Sequence, residues 1–130
     1  MKNLEQIRAA HALNFWHPAD GQPPAGRGVN NGDVISKLPS LVVSNGLLPT
    51  TAFAKSKGGG HGELMTAVFR FLCHADRALL PQPPRPRQGE DELDTYIRLL
   101  TDGEAATSMR LQLATAEALA YLGYLKRFAP

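Results

Sequence analysis

The sequence predicts an all-α fold, a compact bundle of five or six helices, on three observations. Apolar residues recur at helical spacing in several windows. No window offers a convincing strand. Pro, Gly and Asn gather into a few separators that cut the chain into helix-sized pieces. A length of 130 residues suits one domain spanning 1–130, large enough to bury a real core. With 43% hydrophobic and 20% charged residues the composition is globular, not disordered.

The first helix is expected from about Lys2 to His17, a run of good helix formers that Pro18 ends. Pro18 to Gly32 reads as a loop, unusually long for a small domain. A second helix should start at Asp33 as N-cap, with Val34, Ile35, Leu38, Leu41 and Val42 on one face and Ser36, Lys37, Ser40 and Ser44 on the other. Pro39 should kink it or lie in its first turn. Asn45-Gly46 is a stop signal, because glycine accepts the left-handed conformation at a helix end. A short helix follows, about Leu48 to Lys57. Gly58, Gly59, Gly60 and Gly62 form a flexible break.

The next helix is expected from about Glu63 to Leu80, with Leu64, Val68, Phe71, Leu72, Ala75 and Leu79 as its apolar stripe. Pro81 to Gly89 is a Pro-rich linker. Glu90 to Leu100 is a short helix with acids in its first turn, as the helix dipole favours. The last helix, about Glu104 to Phe128, is rich in alanine, which implies close approach by its neighbours.

Charge is unevenly placed. Residues 1–88 hold ten Lys/Arg and five Asp/Glu, net +5; residues 89–130 hold four and seven, net −3. Such a split suggests one face for a polyanion and another for a different surface. The single cysteine, Cys73, rules out an intrachain disulfide, argues against a structural zinc site and fits a reducing cytoplasm. No secretory leader or membrane span is read.

No catalytic constellation emerges. His11, His17, His61 and His74 lack metal-protease spacing, and His11 reads as a packed histidine. Cys73 reads as an inert buried thiol. In KSKGGGHGE the lysines precede the glycines, the reverse of a phosphate loop. Glu90, Asp91, Glu92 and Asp94 read as a solvated helix start. No metal or cofactor site is expected. The basic residues say more. Arg70 and Arg77, seven apart, should share a helix face within about 20°, with His74 nearby. Lys37 lies beside Ser40 and Ser44; Lys55 and Lys57 end a helix; Lys126 and Arg127 end the last one. Arg110 is placed to pair with Glu117. Cations and hydroxyls on helix surfaces suit contact with a phosphate backbone, without base readout.

Two stretches resemble a known family. In Ser36 to Lys57 the order is K-L-P, then N-G-L, then A-F-x-x-S-K; in Ala114 to Ala129 it is E-A-L-x-Y-L-x-x-L-K-R-F-A. With the N-terminal helix, they are similar to the small fifth subunit of the Cmr module of type III-B CRISPR systems. Neither the Pro18–Gly32 loop nor the Pro-rich linker contributes, and Pro49 departs locally from the pattern. The resemblance implies a helical, non-catalytic subunit in antiviral defence. It implies copies stacked beside larger Cmr subunits, along the groove where guide RNA and target RNA pair. Lys37, Asn45, Lys55 and Lys57 are then the polar members of the first motif, and Lys126 and Arg127 the basic members of the second. Leu38, Leu41, Leu47, Phe53, Leu119, Leu122 and Leu125 read as core. The alternatives are a protein–protein adaptor that never touches nucleic acid, docking through its acidic C-terminal third, and a small nuclease or hydrolase.

Overall fold

The computed structural model describes residues 2–19 and 32–130, less the side chains of Gly32 and Asp33. Among these are six helices and no strand: α1 (Leu4–Trp16), α2 (Gly32–Asn45), α3 (Leu47–Lys57), α4 (Gly59–Cys73), α5 (Glu92–Thr101) and α6 (Ser108–Phe128). The fold is all-α, as the sequence predicts. Most of the expected loop between Pro18 and Gly32 lies outside the described residues. So does the side chain of Asp33, the expected N-cap; the helix itself begins one residue earlier, at Gly32.

The core is organised around α4. Leu64, Met65, Val68, Phe69, Phe71 and Leu72 are all buried, so this helix has apolar neighbours on more than one side. Phe69 stacks on Tyr96 of α5 (centroids 4.8 Å apart, 8° between planes). Phe71 stacks on Tyr121 of α6 (4.1 Å, 12°). Helix α1 lies against α6, where the Trp16 indole donates to the Leu125 carbonyl at 2.9 Å. That carbonyl belongs to the last turn of α6 and would otherwise lack a helical partner, because the Ala129 amide donates to Lys126 instead. Helices α2 and α3 pack on each other, α2 also on α6, and α3 on α4 and α5.

Local chemistry sets the helix ends. Reciprocal capping boxes open α1 (Asn3 with Gln6) and α5 (Asp91 with Asp94), each satisfying two amides that a helix start leaves over. Gly46, at φ +94°, separates α2 from α3 as the Asn-Gly signal predicts. Pro49 stands in the first turn of α3, where a missing amide costs little. Pro39 lies inside α2, past the first turn.

Three expectations need correction. The glycine run is not a flexible break: only Gly58 (φ +69°) separates the helices, and Gly59, Gly60 and Gly62 are helical. Packing overrides propensity here. A Cβ on Gly62 would lie 3.5 Å from the Ala54 carbonyl of α3, an ordinary van der Waals contact, so the two helices are in close contact at this position. Second, α4 ends at Cys73, not near Leu80. The chain reverses through a turn and Ala78 at φ +48°, and the amides of Leu79 and Leu80 both donate to the Leu72 carbonyl. Ala75 is consequently exposed, whereas Leu80 is buried. Third, α6 begins at Ser108, where the Thr107 side chain accepts from the Arg110 amide. Of the residues expected in the core, Leu38, Leu47, Leu122 and Leu125 are fully buried and Leu41 and Leu119 partly so, but Phe53 is 44% exposed.

Candidate nucleic-acid interface

The predicted basic residues divide into paired and open groups. Lys55 donates to Asp94 Oδ1 at 2.7 Å. Arg70 reaches Glu92 through two hydrogen bonds of 2.8 and 2.7 Å. Arg98, within the acidic segment itself, holds Glu90 at 2.8 Å. The acids at 90–94 are therefore not a solvated helix start. Glu90, Glu92 and Asp94 are the counter-ions of α5, α4 and α3, and Asp91 caps α5. Much of the charge split along the chain is thus compensated internally instead of forming two opposed faces. These contacts hold the Glu90, Glu92 and Asp94 carboxyls below the usual carboxylate range, in each case chiefly through the hydrogen bond from the cation.

Arg77 does not lie on the helix that carries Arg70, because α4 stops at Cys73, so the shared face does not exist. Arg77 instead donates to Glu117 Oε1 at 2.9 Å. Glu117 is buried, and Arg8 grips it from the other side at 2.6 and 2.9 Å. Burial pushes this carboxyl up, but the two guanidiniums outweigh burial and hold it below its ordinary value. The expected Arg110–Glu117 pair is absent: Arg110 donates to the Leu79 carbonyl, tying the start of α6 to the reversal after α4.

Lys37 and Lys57 remain open. Among the described residues neither forms an ion pair, and both lie on one cavity of about 710 Å³ between α2, α3 and the start of α4. Ser36, Ser40, Phe53 and His61 share its walls. The exposed Phe53 ring meets His61 edge-on, with centroids 5.6 Å apart. His61 is depressed below the ordinary imidazole value, first by burial, then by Lys57 and Lys37. Two cations, two hydroxyls, an imidazole and an aromatic face thus converge on one concavity. Such a set can hold a phosphate and lay a flat ring against an apolar surface.

Asn45 lies elsewhere. It borders an apolar groove of about 560 Å³ between the α2–α3 corner and α6, with Leu48, Pro49, Leu111 and Leu119. Lys126 and Arg127 are exposed in the last turn of α6. The sequence singles out Lys37, Lys57 and Ser40 but not Phe53 or His61 as cavity residues. The apolar motif around Phe53 points to core, and the glycines around His61 point to a loop, so neither residue carries a local signal for this site. As expected, Cys73 is buried, and burial pushes its thiol up to about 11.

A family model described as CRISPR-associated protein (Cas_Cmr5) matches residues 4–130, nearly the whole chain. The chain belongs to this family. It is a small subunit of a type III-B CRISPR (Cmr) complex, the assignment its two motifs suggest. Neither the curated proteins nor the solved structures return a match. Membership makes other Cmr subunits its partners. No helix among the described residues is long and apolar enough to cross a membrane.

Proposed function

We propose that this Cmr subunit is a non-catalytic RNA-backbone support. It stacks with further copies of itself beside the larger subunits, along the groove where guide RNA and target RNA pair, in cytoplasmic antiviral defence. The observation that carries this reading is the convergence of Lys37 and Lys57, unpaired among the described residues, on the cavity of Phe53 and His61. The contact would be electrostatic, with base pairing between the strands supplying sequence specificity. Lys126 and Arg127 are secondary contacts on the same reading. Lys55, Arg70 and Arg77 drop to structural roles, since each would have to leave an internal carboxylate to reach RNA. Few phosphates are neutralised per copy, so stacked copies gain by multivalency.

The test is a paired charge reversal, Lys37→Glu with Lys57→Glu, in the assembled complex. Target-RNA affinity should fall about tenfold or more. The slope of log affinity against log salt should shrink by about 0.7–0.9 for each phosphate that is no longer neutralised. Unchanged affinity in a complex that still assembles would favour the adaptor reading. One feature speaks for that reading: the apolar groove beside Asn45 is a surface suited to protein.

A further inference from the structure

The geometry points to a binding site for a divalent transition cation of the Zn²⁺ class, formed by His11, His74 and Asp76, apart from the cavity of Lys37 and Lys57. His11 comes from the middle of α1, whereas His74 and Asp76 lie in the turn after α4. One donor atom from each lies within 4.8 Å of the other two. His11 Nε2 is 3.0 Å from Asp76 Oδ2, and His74 Nδ1 is 3.6 Å from the same oxygen. Donor atoms about 2.0–2.1 Å from a tetrahedral zinc are separated by roughly 3.3–3.4 Å. Two of the three donor separations bracket that value and the third is within 4.8 Å, so side-chain shifts on that scale would seat an ion.

Imidazole nitrogen with carboxylate oxygen is a donor set for borderline cations such as Zn²⁺, Co²⁺ and Ni²⁺, in preference to Mg²⁺ or Ca²⁺, which take oxygen alone. The rings are already placed. His11 packs edge-on against both Phe71 (5.1 Å) and His74 (4.5 Å), so the apolar ring of α4 limits how far its imidazole can turn. Coordination at His74 Nδ1 would replace the hydrogen bond that nitrogen now accepts from the Asp76 amide. The half-exposed His74 ring has room to make that exchange. Three protein donors leave a tetrahedral ion one position open to water or to an outside ligand. A bound ion would also pin α1 to the turn that ends α4, adding to the His11–Asp76 contact and the shared grip of Arg8 and Arg77 on Glu117.

The test uses the full chain, freed of metal by chelation, titrated with Co²⁺ and then with Zn²⁺. Visible d–d absorption should saturate at one equivalent of Co²⁺ and disappear when Zn²⁺ displaces it. In imidazole NMR spectra the ring protons of His11 and His74 should shift with Zn²⁺, while those of His17 stay in place. His74→Ala and Asp76→Asn alter exposed side chains and so should leave the fold intact. Each should weaken Zn²⁺ binding by about tenfold or more, and His17→Ala should not. The proposal is overturned if no stoichiometric binding occurs, or if His74→Ala and Asp76→Asn bind Zn²⁺ as the parent does.

Discussion

Lys55 and Lys57 stand two residues apart on α3, yet they do opposite things. Two residues turn a helix by about 200°, so one ammonium faces α5 and the other the cavity beside α2. Lys55 is bound to Asp94, and Lys57 looks across open space towards Lys37 and His61. The same contrast separates Arg70 and Arg77 from Lys37. In each case the difference comes from which neighbouring element the side chain faces, and whether it presents an acid. A cation with an internal carboxylate helps to position helices, whereas one without such a partner is available to an outside anion.

The paired side of this contrast should break hardest at Glu117. Removing this buried carboxylate leaves Arg8 and Arg77 facing each other with side chains only 21% and 24% exposed. Glu117→Ala should therefore cost about 2–4 kcal/mol in urea unfolding, near the lower end for a broken buried pair because both arginines still reach some water. Because the folded carboxyl titrates below its unfolded value of about 4.5, its contribution is present above that pH. It is lost as pH falls through the depressed folded value. Glu117→Gln should consequently flatten the acid limb of stability against pH; a limb with unchanged slope would remove Glu117 from the account.

The two lysines of α3 give the next largest effect. Lys57→Glu should weaken target-RNA binding by the complex about tenfold, while Lys55→Glu should change it far less and instead loosen the packing of α3 on α5. Equal losses of affinity from the two would erase the distinction between paired and open cations. Unfolding curves run alongside separate a binding defect from a folding one.

How much of this is legible in the sequence depends on range along the chain. Helical periodicity and Asn45-Gly46 narrow the count to five or six helices and give the α2–α3 boundary, because those signals lie within a few residues of what they specify. The family motifs place Lys37 and Lys57 in one segment, and that segment folds so that they share a cavity. Counter-ions are not legible. Arg8 and Glu117 are 109 residues apart, and no local rule joins them. The end of α4 is hidden for a related reason. No glycine or proline marks Cys73, and the reversal is held by Leu72, Leu79, Leu80 and Arg110, the last reaching in from a distant helix. A longer α4 would put Arg77 on a face it does not occupy. His61 misleads in the opposite way, because close packing against α3 folds a glycine-rich run into a helix.

The open side of the contrast can be sharpened by pH. His61 is held below its ordinary 6.5, so it is largely neutral at pH 7. Between that lowered value and 6.5 the unfolded chain binds the extra proton, and stability falls as pH drops through this window, with no cost above it. An RNA phosphate between Lys37 and Lys57 would offset their repulsion and raise the imidazole again. Binding would then take up a proton, and affinity should grow as pH falls from 8 to 6, by at most about fivefold for one added charge near 4 Å in water. His61→Ala should make the profile flat. An equally steep profile in that variant would place the titrating group elsewhere.

The smallest effect belongs to the buried face of α3. Thr51 donates to the Leu47 carbonyl, but the hydroxyl of Thr50 is buried with no hydrogen-bond partner among the described residues. Both threonines are almost wholly enclosed, so they differ in satisfaction and not in burial. Replacing Thr50 by valine keeps the shape and removes the unpaired oxygen. It should raise stability by about 0.5–1 kcal/mol, whereas Thr51→Val should gain nothing or lose up to about as much by giving up its bond. Chemical denaturation of the two variants side by side measures the difference. Both substitutions should leave RNA affinity untouched, since neither threonine lines the cavity that holds Lys57.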